Sequence, residues 1–125
     1  AGLGGDDEIR GGDGDDCLEG NGGDDRVNGS RGKDTVAGGD GTDALRGGPG
    51  DDTARGNAGA DSVKGGGGND RLSGEGGKDR INGAGGDDRI NARKGGRDTV
   101  VCGPGTDRVK ADKRDKVARN CERVR

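Results

Sequence analysis

The chain of 125 residues contains no Phe, Trp, Tyr, Met or His. With only 22% hydrophobic residues and none of the large aromatic ones, it cannot build the core of an ordinary globular domain. The missing His removes the commonest general base and the commonest nitrogen ligand for transition metals. Only three Cys are present, none beside an acid-base partner, so nucleophilic catalysis has no foothold. A phosphate-binding loop is absent too, because Gly32-Lys33 and Gly77-Lys78 are each followed by Asp. No apolar run is long enough to span a membrane, and no site for a small-molecule substrate is evident. Taken without its order, this glycine-rich, charged composition would read as disorder.

The order reverses that reading. From Gly2 to Asn91 one nine-residue unit is written ten times. Gly opens each unit (Gly2, Gly11, Gly20 and so on to Gly83) and returns three residues later (Gly5, Gly14, Gly23 and so on to Gly86). The sixth position is always Asp: Asp7, Asp16, Asp25, Asp34, Asp43, Asp52, Asp61, Asp70, Asp79 and Asp88. The eighth is always aliphatic: Ile9, Leu18, Val27, Val36, Leu45, Ala54, Val63, Leu72, Ile81 and Ile90. With Asp at roughly a sixth of all residues, ten in phase would arise by chance with odds on the order of 10⁻⁸.

The unit G-G-x-G-x-D-x-U-x, with U aliphatic, resembles the calcium-binding nonapeptide repeats of the repeats-in-toxin (hemolysin-type) family. That resemblance implies an all-β fold, a parallel β-roll or two-sheet β-solenoid, in which each hexapeptide is a turn and each x-U-x a short strand. It further implies that consecutive units lie on opposite sides of the roll, so that a turn stacks on the one eighteen residues later. Ions would then sit between stacked turns, bridged by pairs such as Asp7 with Asp25, Asp16 with Asp34, and Asp61 with Asp79, giving about eight Ca²⁺ or more.

The residue types support the same ion independently. Gly at the first and fourth positions permits positive φ and close backbone approach, which turns carbonyl oxygens inward. The Asp adds a carboxylate to that concavity. An all-oxygen donor set suits Ca²⁺ ahead of Mg²⁺, Zn²⁺ or Cu²⁺. Left without metal, rows of carboxylates roughly 4.8 Å apart would repel, which makes calcium a folding cofactor. Asn21, Ser30, Asn57, Glu75 and Ala84 replace the second Gly in their units, as Leu3 does in the first, so local affinity is expected to vary. The sixth unit pairs a small Ala54 with Pro49 in its turn and is expected to open most easily.

Residues 1–91 therefore form the repeat array, and residues 92–125 its degenerate continuation and cap within the same domain. The register slips by one residue at Ala92-Arg93-Lys94 and resumes with Asp98 and Val100, then with Asp107 and Val109. Asp115 and Val117 echo the unit after a one-residue deletion. The metal-ligand set thus extends to Asp98 and Asp107. Cys102 and Cys121 bracket the cap; a disulfide between them would close a loop of about twenty residues worth roughly 3 kcal/mol, the alternative being two free thiols. Such a bond would place the chain in an oxidising compartment. Cys17 is left over, on an outward strand position, as an intermolecular bridge or an idle thiol.

Side chains flanking U should face solvent and are more basic than acidic, and about eight Ca²⁺ would carry the formal charge of −3 to about +13. The array enters in phase at Ala1-Gly2-Leu3, which reads as a cut edge. Three roles are open at this point. One is a secreted bacterial calcium-binding roll that folds on meeting extracellular calcium and serves as a structural or surface module. Another is a self-assembling fibre or layer subunit stacking through its N-terminal edge. The last is an adhesion module holding an anionic polymer on an Arg-rich face.

Overall fold

A computed structural model describes residues 2, 4–118 and 120–124; the expectations placed on Ala1 and Leu3 lie outside the described residues. Most units alternate polar, aliphatic and polar residues at positions seven to nine, with Ala37 and Ala44 among the exceptions, which in an extended chain puts one side chain inward and two outward. The strands obey this pattern. They are β1 (Glu8–Asp13), β2 (Cys17–Gly22), β3 (Arg26–Arg31), β4 (Thr35–Asp40), β5 (Ala44–Pro49), β6 (Thr53–Ala58), β7 (Ser62–Gly67), β8 (Arg71–Gly76), β9 (Arg80–Ala84), β10 (Arg89–Ala92), β11 (Thr99–Val101), β12 (Arg108–Ala111), β13 (Lys116–Val117) and β14 (Glu122–Val124). No described residue is helical, so no described helix is long and apolar enough to cross a membrane.

Odd strands form one seven-stranded sheet in the order β1-β3-β5-β7-β9-β11-β13, and even strands form the other in the order β14-β12-β10-β8-β6-β4-β2. Every described pairing is parallel. Because one unit supplies one strand and one reversal, two units complete a coil, and Val27 lies opposite Leu45 and Leu45 opposite Val63. The fold is a two-sheet parallel β-solenoid. Its interior is formed by one row of aliphatic side chains from each sheet, with Val27, Val36, Leu45, Val63, Leu72, Ile81 and Ile90 all buried. Each contributes about 2 kcal/mol by leaving water.

Strands are longer than the three residues expected. Most run six residues and take in the first three positions of the next hexapeptide, as where Asn21 and Gly22 pair with Gly39 and Asp40. The turn therefore begins inside the ladder. Its bend is made at the second position, where even the non-glycine residues Asn21, Ser30, Asn57, Glu75 and Ala84 adopt φ between 69° and 82°. These are the five described positions where the second Gly was missing, so the stacked coils impose the left-handed conformation whatever the residue.

The one-residue slip is absorbed in the turn around Gly95 and Gly96. Arg80 pairs with Thr99 and Arg89 with Arg108, nineteen residues apart rather than eighteen. The deletion that follows pairs Thr99 with Lys116, and the last even coil is shorter still, joining Arg108 to Glu122. Cys102 and Cys121 are disulfide-bonded with their Cα atoms 5.5 Å apart, while Cys17 is an exposed free thiol. Cys102 occupies a first-position site and is fully buried.

Candidate metal centre

The sixth-position Asp follows a positive-φ glycine and precedes the strand, and this places its side chain inside the turn rather than on the surface. Asp25, Asp34, Asp43, Asp52, Asp61, Asp70, Asp79, Asp88, Asp98 and Asp107 are each 2% exposed or less. Burying so many carboxylates is costly unless each is hydrogen-bonded and its charge compensated. Among the described residues the ion pairs are Arg10 with Glu8 and Lys94 with Glu75, both at the surface, so no described cation reaches the buried row.

Half of each carboxylate is used by the fold. The main-chain N–H of one Asp donates to Oδ1 of the Asp one coil further on, at 2.8–2.9 Å from Asp7·Asp25 and Asp16·Asp34 through Asp61·Asp79 and Asp70·Asp88. The ladder continues across the register slip through Asp79·Asp98 and Asp88·Asp107. It reaches Asp115, whose Oδ1 accepts from Asp98 at 3.0 Å and whose Oδ2 accepts from the N–H of Asp112 at 2.6 Å. Asp115 thus closes one row; in the other, Cys121 stands one residue before Glu122, where the next Asp would fall.

The other half is unsatisfied. Oδ2 of Asp16 and of the ten buried Asp has no hydrogen-bond partner. From Asp16 to Asp88 these oxygens face the first-position glycines, whereas Cys102 holds that position ahead of Asp107. A Cβ built on Gly11 would lie 2.6 Å from Asp16 Oδ2 and 2.5 Å from the carbonyl oxygen of Gly29, and one on Gly47 would lie 2.5 Å from Asp52 Oδ2 and 2.7 Å from the Gly65 carbonyl. A carboxylate oxygen and a carbonyl oxygen therefore flank one space with no donor between them. A bound cation or an added proton would satisfy both. Positive φ occurs at the second and fourth positions, as at Gly12 and Gly14, but at no first-position glycine. Of the two uses expected for the first glycine, close backbone approach is seen and positive φ is not.

Among the described residues no three His, Cys, Asp or Glu side chains converge as a metal cluster. An ion in these turns would accordingly draw on no more than two carboxylates together with main-chain carbonyls, a hard-oxygen set that suits Ca²⁺ ahead of zinc or copper. Burial pushes the Asp61 and Asp70 carboxyls up to about 7 and those of Asp88 and Asp98 up to about 6; the donated main-chain N–H opposes the rise, and neighbouring carboxylates in the stack add to it. Asp43, Asp52 and Asp79 are raised as well, chiefly by burial. Repulsion along the row is real but ranks below desolvation.

Sequence reasoning missed a second row. Oδ1 of Asp6, Asp15, Asp24, Asp51, Asn69 and Asp87, at the fifth position, accepts the N–H of the fifth-position residue one coil later at 2.8–2.9 Å. This row runs with opposite polarity to the first and is exposed. Its signal was the recurring Asp-Asp and Asn-Asp pair. Of the expected ligands, all from Asp7 to Asp107 stand in the buried ladder, with Asp7 and Asp16 half-buried at its start.

No curated protein and no solved structure matches the chain. A family described as "RTX calcium-binding nonapeptide repeat (4 copies)" matches residues 1–27, 19–54, 37–72, 55–90 and 64–97, and so spans nearly all of the ladder. With its coils stacked and a buried carboxylate in each turn of that span from Asp25 to Asp88, the chain belongs to the RTX calcium-binding nonapeptide repeat family.

Proposed function

We propose that this chain is a structural module that folds as it binds extracellular calcium, with the ladder aspartates Asp7, Asp16, Asp25, Asp34, Asp43, Asp52, Asp61, Asp70, Asp79, Asp88, Asp98 and Asp107 as ligands beside turn carbonyls. The observation that carries this reading is the row of buried Oδ2 atoms without a donor. Calcium, when bound, supplies the positive charge that lets these carboxylates remain ionised in a dry turn. The protein's own part is to hold Oδ1 through the main-chain ladder, aim Oδ2 at the neighbouring carbonyl, and keep the space clear with a first-position glycine. Residues 1–91 carry the sites and residues 92–125 cap them.

The repeat family is calcium-binding and structural in character rather than catalytic, and its repeats occur in secreted bacterial proteins. A disulfide across the cap accords with an oxidising, calcium-rich exterior. Counting bound calcium on the folded chain by equilibrium dialysis tests the assignment. About eight ions or more per chain are expected, one for each stacked pair of turns; a count of none or one would overturn it.

A further inference from the structure

On the even sheet, Arg71 of β8, Arg89 of β10 and Arg108 of β12 stand directly opposite one another. All three are exposed, and no guanidinium among them makes a hydrogen bond or ion pair with a described residue. Three like charges in direct cross-strand register destabilise a sheet. Protection of an open edge does not explain them, because β8, β10 and β12 are interior strands. The odd sheet shows that the repeat does not require the arrangement: its matching row reads Arg26, Ala44, Ser62, Arg80, Thr99 and Lys116, with every cation separated from the next by a neutral residue.

Beside the arginine row lies a shallow depression of roughly 660 Å³, which adds Arg55 and Lys110 to the positive charge and Ser73 and Asn91 as hydroxyl and amide groups. Its acidic member, Glu75, is engaged by Lys94 at 3.6 Å and by the Ser73 hydroxyl at 3.3 Å. Glu122, opposite Arg108 on β14, closes the row at its far end. With strands about 4.8 Å apart, the three guanidinium groups mark a line about 10 Å long, parallel to the axis of the roll. Guanidinium groups hold carboxylate or sulfate oxygens in pairs.

We propose that this face binds an acidic polysaccharide lying along the roll axis, its anionic groups on Arg71, Arg89 and Arg108 and its hydroxyls toward Ser73 and Asn91. Charge carries the recognition, since the chain has no aromatic ring on which a base or a neutral sugar could stack. The face needs the rolled sheet, whichever ion fills the turns.

The test uses the full chain in millimolar calcium with heparin as the probe, and each sample's far-ultraviolet circular dichroism is recorded first, so that a loss of the roll is seen separately from a loss of binding. Salt-sensitive binding is expected, weakened about tenfold in the triple variant R71Q/R89Q/R108Q, three exposed ion contacts being removed together. An R26Q/R80Q variant of the odd sheet should bind as the parent does. Because removing the like charges relieves repulsion, the triple variant should fold; the single variant R89Q, expected to lose two- to threefold, serves if it does not. Absence of binding by the folded parent would overturn the proposal. So would full binding by the folded triple variant, which would place the polymer on the calcium-lined turns, or equal binding of a single-stranded oligonucleotide, which would make the partner a nucleic acid.

Discussion

The main-chain N–H of Asp43 donates to Oδ1 of Asp61 at 2.8 Å, while Oδ2 of the same carboxylate shares the space beside Gly56 with the carbonyl oxygen of Gly74. One oxygen is held by the fold and the other has no donor. Substitution separates the two roles. Asp61→Asn keeps the acceptor and offers an amide donor where two acceptors stood, so metal-free protein should gain stability while calcium affinity falls. Asp61→Ala strands the Asp43 N–H and should cost about 1–3 kcal/mol in saturating calcium. Urea unfolding with and without calcium reads both effects, and equal behaviour of the two variants would dissolve the distinction.

The raised carboxyls set a pH dependence for the metal-free chain. Asp61 and Asp70 lie at about 7 and Asp88 and Asp98 at about 6 when folded, above their ordinary value of 3.8. The folded state therefore binds protons more tightly than the unfolded one, and the stability this contributes is complete below 3.8 and lost as pH rises through 6 to 7. Without calcium, β-structure should persist at pH 4 and disappear by pH 8. With calcium the direction inverts, because the ion competes with the protons, and the calcium concentration at half-folding should fall steadily from pH 5 to 8. A metal-free spectrum that does not change with pH would contradict the burial argument.

Glycines of the two kinds should respond differently. At Gly47 a methyl group would press on Asp52 Oδ2 and the Gly65 carbonyl, so Gly47→Ala should destabilise the calcium-loaded roll by about 1–3 kcal/mol and weaken calcium binding. Gly12 has φ of 97° and open space around it, in a position where Asn21 and Asn57 already stand. Gly12→Asn should change stability by less than about 1 kcal/mol. Thermal unfolding in calcium distinguishes them.

One covalent bond ties the last coils together. Cys102–Cys121 closes a loop with a separation of 19 residues, worth about 3 kcal/mol in the chain-entropy model. Reduction, or the pair Cys102→Ser and Cys121→Ser, should lower the urea midpoint in calcium by a corresponding amount. If residues 92–125 cap the same domain, the transition should stay single; two transitions would make the cap an independent unit.

Much of this was legible because the repeat couples chemistry to position. Ten aspartates and ten aliphatic residues in phase announce the roll, and the slip near Lys94 and the echo at Asp115 appear in the ladder where the spacing placed them. What the chain could not reveal was which contact each residue makes. The first glycine of a unit and the one at the fourth position look alike in sequence, yet the first makes room beside the buried carboxylate at ordinary φ, while the fourth has positive φ and, from Gly23 on, lies against a carbonyl of the preceding coil. Likewise Asp24 and Asp25 are neighbours of one type, but the exposed Asp24 carboxylate accepts from Thr42 one coil forward and the buried Asp25 carboxylate accepts from Asp7 one coil back. Strand length was also hidden, because the ladder extends into the turn only through the second-position bend that stacking enforces on Asn21 or Glu75.

Circular dichroism during a calcium titration at pH 8, beginning from chelated protein, tests the central claim most directly. Calcium should drive a cooperative transition from a largely unstructured chain to β-structure, with chelator reversing it. A full β spectrum before any calcium is added, or no change after it, would show that the buried aspartate rows do not need the ion.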